Sequence, residues 1–271
     1  MSQDKEVQMS VLSRRLFLLA GSAVVAPKLA MPVHAASTEP ADTFPTQDPA
    51  LVREMVAVAH GNVKRVKELV DRQQTLAKAT WDWGFGDWES ALGAASHVGN
   101  REIAEYVIAN GARPSIFSAT MLGHLDVVKA FIDASPGVQR IYGPHGITLL
   151  AHARAGGDQA KPVLDYLQKL GDADPRLDSP ALTDAEAAAL AGTYAYGSAP
   201  SAVVTIDATK GQLGFLRING TKRGLSQRAP REFSPAGAPN VRITFLVENG
   251  KATALTVHDP DLVLTARRVT D

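Results

Sequence analysis

The 271-residue sequence contains no cysteine, which excludes disulfides, thiolate metal sites and a cysteine nucleophile. It also lacks an excess of either charge, with 28 basic and 28 acidic residues, and no lysine and arginine block occurs beyond the N-terminus. A nucleic-acid partner is therefore not expected. A Gly-rich phosphate loop, a His-Glu-x-x-His pair and a Gly-x-Ser-x-Gly elbow are all missing, so no motif predicts a cofactor or a catalytic residue.

The most specific pattern lies at the N-terminus. Residues 13 to 19 read SRRLFLL, and Arg14, Arg15 and Phe17 match the twin-arginine export pattern. The apolar run that follows, Leu16 to Ala26, is shorter than the roughly 20 residues that a membrane span requires. It therefore predicts the core of a signal peptide and no membrane span in the mature chain.

The export pattern also sets the start of the mature protein. Small residues around Val33-His34-Ala35 predict signal cleavage after Ala35, which makes residues 1–35 the signal peptide. Residues 36–48 are rich in Thr, Pro, Asp and Ala without a hydrophobic period, and they are expected to be a flexible linker. Because the twin-arginine route usually carries folded proteins, we expect a bacterial periplasmic or secreted protein that folds before export.

A repeated helical pattern begins near residue 49. Segments starting at His60, Val98 and Leu122 each contain a glycine followed by apolar residues at i, i+3 and i+4, and a looser copy starts at Gly156. Each glycine is expected to end one helix before the next begins. The pattern predicts about four helix pairs over residues 49–175.

These residues resemble the ankyrin repeat family. Ser90 to Ala95 (SALGAA) stands where that family has Thr-Pro-Leu-His-x-Ala, Gly99-Asn100 matches its inter-helix turn, and Asn110-Gly111-Ala112 matches its closing residues; Thr148 to Ala153 is a poorer copy. The resemblance implies an α-helical solenoid. It also implies an interaction scaffold, seldom catalytic, whose fingers and concave face contact a partner.

The glycine spacing departs from the family period of about 33 residues. The interval from Gly61 to Gly99 is 38 residues, and the interval from Gly99 to Gly123 is only 24. The short interval predicts a missing finger. The long one predicts an enlarged finger over Gln73 to Trp88.

The enlarged finger contains all three tryptophans of the chain and is the predicted binding site. Aromatic faces beside carboxylates can hold a cationic group or stack a sugar ring. The alternative is that the tryptophans form a small core for the finger, with Asp87 or Glu89 capping the helix that starts near Ser90. The candidate binding residues are Trp81, Asp82, Trp83, Phe85, Asp87, Trp88, Glu89, His97 and His145.

Four histidines, His97, His124, His145 and His152, lie near predicted helix ends or finger tips. Stacked repeats can bring such residues together, so a metal site is conceivable. Their spacing matches no metal signature, however, and histidines at ankyrin-type turns are generally structural, so no metal is expected. A hydrolytic site would instead combine His145 or His152 with Asp82, Asp87 or Glu89.

The periodicity changes after residue 175. The capping box Thr183-Asp184-Ala185-Glu186 predicts a short helix within a 176–192 connection. Residues 193–271 alternate in strand fashion, with hairpin turns at Lys210-Gly211 and Asn249-Gly250. Seven or eight short strands in about 80 residues predict a small antiparallel β barrel or sandwich.

Within this part, the order Leu-x-Gly-x-Tyr (190–194), Ile-Thr-Phe (243–245) and Ala-Arg-Arg (266–268) resembles lipocalin-like β domains appended to secreted bacterial hydrolases. That resemblance implies an accessory binding or packing module; a cap on the open end of the solenoid is the alternative.

The sequence thus predicts an α+β multidomain protein, with an ankyrin-type α-helical solenoid followed by a small antiparallel β barrel or sandwich. We expect it to be a non-catalytic scaffold that binds a protein or a cell-envelope component. A binder of a small cationic or sugar ligand, using the finger or the barrel mouth, is the alternative, and a hydrolase is the third reading.

Overall fold

A computed structural model describes residues 45–175, 181–217, 220 and 222–269, all within one compact unit, Thr43–Asp271. The predicted export signal and the cleavage position at Ala35 lie outside the described residues. The described chain combines helices with a closed antiparallel β barrel, as the predicted α+β class requires. Across these ranges, no helix has the length and apolar character needed to cross a membrane.

In the described part of the chain, four successive helix pairs precede the barrel. They are α1 (Pro49–Val58) with α2 (Val63–Arg72), α3 (Ala91–His97) with α4 (Arg101–Ala109), α5 (Ile116–Met121) with α6 (Leu125–Ala134), and α7 (Leu149–Ala155) with α8 (Lys161–Leu170). The first helices of successive pairs contact each other in the order α1, α3, α5 and α7. Equivalent turns of neighbouring pairs therefore come side by side.

Two of the repeated glycines lie where their turns meet the fourth helix pair. Gly99 and Gly123 have φ values of 76° and 79°, and a Cβ at either position would lie 2.1 to 2.2 Å from a carbonyl oxygen, that of Ala155 or Gln159. Only glycine accepts both the conformation and the contact. The asparagine after Gly99 then starts the next helix, since Asn100 Oδ1 accepts a hydrogen bond from Ile103 N–H at 3.1 Å.

The connections between pairs differ as the glycine spacing predicts. Between α2 and α3, a 3₁₀ turn (Gln74–Lys78) leads into a hairpin of β1 (Thr80–Asp82) and β2 (Trp88–Ser90), which is the enlarged finger. Between α4 and α5, residues 110–115 contain no strand and lead directly into the next helix. The predictions of an enlarged finger and of a missing one are confirmed.

The barrel is formed in the described region by eight strands. They are β3 (Gly192–Ala195), β4 (Val203–Thr209), β5 (Gln212–Arg217), β6 (Arg223–Ala229), β7 (Glu232–Pro235), β8 (Arg242–Glu248), β9 (Lys251–Asp259) and β10 (Leu262–Arg268). Each pairs antiparallel with its chain neighbour, and β10 pairs with β3, which closes the sheet and removes its edges. The barrel alternative is therefore confirmed over the sandwich.

A short helix, α9 (Asp184–Leu190), begins at the predicted capping box, in which Thr183 and Glu186 bond each other's backbone N–H. Its residues Ala187 and Leu190 join the apolar core of the barrel. The side chain of Arg268 donates to carbonyls at the end of this helix, which fixes the helix to the last strand. The sequence-predicted helix thus packs against the barrel.

His152 lies in the core of the helical part. Its Nδ1 donates to the Thr148 carbonyl oxygen at 2.9 Å, and its ring packs 4.9 Å from that of Phe117. Burial lowers the pKa of the imidazole to about 4, and the hydrogen bond to Thr148 only partly opposes this. The residue is a neutral structural histidine and lies outside the histidine cluster described below.

This burial predicts a stability loss in acid. Because the pKa of His152 is lower in the folded chain than the unfolded value of about 6.5, the unfolded chain binds more protons below that pH. Protonation of His152 in the unfolded chain should therefore lower the unfolding free energy by about 2 kcal/mol as the pH falls from 7 to 5. In urea titrations over this pH range, His152→Gln should lose less unfolding free energy than the wild type by this amount. The exposed His124→Gln should retain the wild-type loss, and equal losses in all three chains would contradict the prediction.

Candidate metal centre

The finger turns two carboxylates inward, that of Asp87 just before strand β2 and that of Glu89 within it. Side chains alternate along a strand, so Asp87 and Glu89 share one face and Trp88 takes the other. Asp87 is 3% exposed and Glu89 is 0% exposed, whereas Trp88 is 62% exposed. The finger thus buries two negative charges, and such charges require partners.

Three histidines from three separate segments of the helical part surround Glu89. His60 follows α1, His97 ends α3, and His145 lies in the 3₁₀ turn Pro144–Gly146 ahead of α7. The donor atoms converge: one ring nitrogen of each histidine and one carboxylate oxygen of Glu89 all lie within 4.8 Å of one another. We call these four residues, His60, Glu89, His97 and His145, the histidine–glutamate cluster.

Partners outside the cluster fix the orientation of its members. The Nδ1 of His60 donates to the Ala57 carbonyl oxygen at 3.0 Å, and the Nδ1 of His145 donates to Asp87 Oδ2 at 2.8 Å. Both rings therefore direct Nε2 toward the cluster. Trp83 Nε1 donates to Glu89 Oε2 at 2.7 Å, which holds the carboxylate. Such outer partners are typical of metal-ligating histidines and carboxylates.

Hydrogen bonds alone do not satisfy all the inward-facing nitrogen and oxygen atoms of the cluster. His97 Nε2 lies 3.1 Å from His60 Nε2 and 2.9 Å from Glu89 Oε1, but a single N–H cannot point at both. Glu89 Oε1 is buried, and its 2.9 Å contact with His97 Nε2 lacks good hydrogen-bond geometry among the described residues. A buried carboxylate oxygen with no well-directed donor is costly. A cation between these atoms would satisfy every lone pair that points inward.

The electrostatics favour a cation at the same point. Burial alone would raise the pKa of the Glu89 carboxyl, but the nearby His145 and His97 outweigh it and lower the pKa to about 2. The contacts with Asp87 and Glu89 raise the pKa of His145 to about 9. Without a metal ion, His145 is therefore protonated between the two carboxylates. A metal ion would displace its Nε2 proton, because ligand nitrogens bind deprotonated.

The donor spacing fits a tetrahedral ion. Bonds of 2.0–2.2 Å to nitrogen and oxygen place tetrahedral ligands roughly 3.4 Å apart. Glu89 Oε2 lies 3.3 Å from His145 Nε2 and 3.5 Å from His60 Nε2, whereas His97 Nε2 lies 2.9 Å from Glu89 Oε1 and 3.1 Å from His60 Nε2. Three imidazole nitrogens and the Glu89 carboxylate thus form a compact donor set, with four donor atoms within 4.8 Å of one another.

The β barrel reaches this cluster through Asp87. Arg223 of β6 donates from Nη1 to Asp87 Oδ2 at 2.6 Å and to the Ala236 carbonyl oxygen at 2.8 Å. Asp87 Oδ1 accepts the backbone N–H of His145 at 2.9 Å, which holds that residue at its left-handed φ of 60°. Asp87 therefore connects the finger, the His145 turn and the barrel.

The other candidate residues of the finger have internal partners or face outward. Phe85 packs against Phe215 of the barrel, with ring centroids 5.5 Å apart, so it contacts the barrel core of its own chain. Trp81 and Trp83 pack against the core of the first helix pairs. Asp82 accepts the Gly84 N–H at 2.8 Å within the finger turn. Among these residues, only Trp88 presents a largely exposed ring.

Two details of the predicted site are corrected. Helix α3 is capped by Ser90, whose Oγ accepts the Gly93 N–H at 2.9 Å, and not by Asp87 or Glu89, because both carboxylates face the histidines. His124 and His152 do not join His97 and His145, since His124 is exposed at the start of α6 and His152 is buried in α7.

Sequence reasoning missed His60 and Arg223. His60 lies in the turn between α1 and α2, and His97 lies just before the turn between α3 and α4. Histidines at two successive inter-helix turns were therefore the available signal. Arg223 lies 136 residues from Asp87, and no local pattern connects them.

Comparison with known proteins adds no assignment: no family model matches the chain, and no significant match is found among curated proteins.

The buried Asp87 predicts a large stability effect. Asp87→Asn keeps the shape but leaves the Arg223 guanidinium and the protonated His145 without their carboxylate. Breaking a buried pair in this way costs about 3–5 kcal/mol. Urea unfolding in the presence of a chelator should show this loss. The matched Asp82→Asn, which retains a carbonyl oxygen for the Gly84 N–H, should lose less than about 1 kcal/mol. Equal losses would contradict the role assigned to Asp87.

Proposed function

We propose that the protein binds a divalent transition-metal ion in the histidine–glutamate cluster. The ligands are the Nε2 atoms of His60, His97 and His145 and one carboxylate oxygen of Glu89. The observation that carries this proposal is the convergence of three imidazole nitrogens on the fully buried Glu89 carboxylate, with one donor atom from each of the four residues within 4.8 Å of the others. This replaces the sequence-based expectation of no metal.

The donor set favours certain ions. Imidazole nitrogen suits zinc, copper, nickel and cobalt, whereas calcium and magnesium prefer shells composed of oxygen. A four-donor set with near-tetrahedral spacing suits zinc in particular, because Zn²⁺ is four-coordinate in most structural sites. Zinc is therefore the ion with which the site is best tested.

A non-catalytic role follows from the closed donor set. Catalytic zinc sites generally combine three protein ligands with a water molecule, whereas four protein ligands complete a structural or binding site. Here four protein donors lie within 4.8 Å of one another. We therefore propose metal binding, and not the hydrolysis that His145 paired with Asp87 or Glu89 would suggest.

We further infer that the helix pairs form an ankyrin-type solenoid and that the barrel is a lipocalin-like module of a periplasmic or secreted protein. The contacts between the first helices of successive pairs support the solenoid. Export by the twin-arginine route would carry the chain after the finger, the helices and the barrel have assembled. The metal ion would then be loaded before export.

A second candidate function is binding of a protein or cell-envelope component. The exposed Trp88 ring supports it, because strand β2 holds that residue rigidly opposite Asp82 on the outer face of the finger. Aromatic side chains of this kind are enriched at the centres of interfaces. The two functions are compatible, since the carboxylates of the finger face inward and Trp88 faces outward.

Metal titration of the purified, chelator-treated chain tests the first proposal. We expect one Zn²⁺ per chain in competition with a chromophoric chelator, and Co²⁺ should give the intense visible absorption of tetrahedral cobalt. His97→Ala should weaken zinc binding by more than roughly 100-fold, because outer partners of a ligand alone contribute about 10- to 100-fold.

The matched control is His124→Ala, which removes an exposed histidine outside the cluster and should bind zinc as the wild type does. The proposal is wrong if the wild-type chain binds no zinc, or if His97→Ala and Glu89→Gln bind it as tightly as the control.

A further inference from the structure

We propose that Arg223 of the barrel is a positioning residue for the metal ligand His145, so that metal binding and the seating of the barrel on the finger are thermodynamically linked. This inference rests on the proposed function. It adds Arg223, which is distant from the ligands in sequence, to the residues that determine metal affinity. It also adds a form of regulation, because the contact of the barrel with the finger would control that affinity.

The first step is the relay of contacts. Arg223 Nη1 and His145 Nδ1 both donate to the same oxygen, Asp87 Oδ2, at 2.6 and 2.8 Å. The side chains of Arg223 and Asp87 are only 7% and 3% exposed, so solvent does not weaken this pair. His145 then presents Nε2 to the cluster. Displacing the guanidinium would leave Asp87 less constrained and would loosen the ring of His145.

The second step is the close fit of the barrel around Asp87. Gly237, in the turn after β7, has a φ of 78°, and a Cβ there would lie 2.7–2.8 Å from the Asp87 carboxylate. A Cβ on Gly146, beside His145, would lie 3.1 Å from the Gly237 nitrogen. Phe85 meets Phe215 on strand β5, next to β6. The barrel and the finger are thus in close contact around Asp87.

The third step is reciprocity. If the seated barrel raises metal affinity, the metal ion must stabilise the seated barrel by the same factor. Outer partners of metal ligands typically contribute about 10- to 100-fold to affinity, which sets the expected size of the effect. The barrel would therefore be most firmly held when the metal ion is bound.

Zinc affinity in three full-chain variants tests the inference. Arg223→Met, which keeps the length but loses the charge and the donors, should weaken zinc binding about 10- to 100-fold. Arg223→Lys, which retains a charged donor toward Asp87, should recover part of that loss. The control Arg217→Met removes an exposed barrel arginine that bonds Tyr196 and should bind zinc within about 2-fold of the wild type. The Co²⁺ spectrum of Arg223→Met should also shift, because His145 is no longer held.

A measurement on the unaltered chain covers the case in which Arg223→Met does not fold. Zn²⁺ should slow amide hydrogen exchange in residues 223–238, which contain no proposed ligand. No added protection there would overturn the linkage, and so would equal zinc affinities and spectra for Arg223→Met and the wild type. In both cases, zinc binding by the wild type would still support the proposed metal site. Failure of the wild type to bind zinc would instead overturn the proposed function.

Discussion

The carboxylate of Asp87 connects three parts of the chain that are distant in sequence. It accepts hydrogen bonds from the Arg223 guanidinium, the His145 ring and the His145 backbone. A buried carboxylate cannot remain without such donors, so the finger, the last helical connection and the barrel must all be in place together. The geometry of the histidine–glutamate cluster depends on this contact, because Asp87 orients the ligand His145.

The helical stack provides the rest of the cluster. The packing of the first two helix pairs brings His60 and the end of α3 together, since His97 Nε2 lies 3.1 Å from His60 Nε2. The enlarged finger then extends across these turns. Since strand residues alternate, one short segment, Asp87 to Glu89, directs two carboxylates inward and a tryptophan outward. The extra length of this repeat thus gives the stack a charged interior and an exposed aromatic edge.

Much of the fold was predictable because its signals are local. Glycine spacing located the enlarged and missing fingers, the Thr183 capping box located α9, and the Asn249-Gly250 turn belonged to a confirmed hairpin. The cluster was only partly predictable: Asp87, Glu89, His97 and His145 were in the candidate set, but their mutual contacts depend on how the repeats stack. Arg223 was not predictable, because its partner is fixed by the docking of the barrel and not by any pattern near residue 223.

X-ray absorption at the zinc edge of the zinc-loaded full chain tests the central claim most directly. The account predicts four nitrogen or oxygen neighbours at about 2.0–2.1 Å, with the outer-shell scattering of three imidazole rings. A shell of six oxygens, or scattering from fewer than two imidazoles, would place the zinc outside the histidine–glutamate cluster and contradict the account.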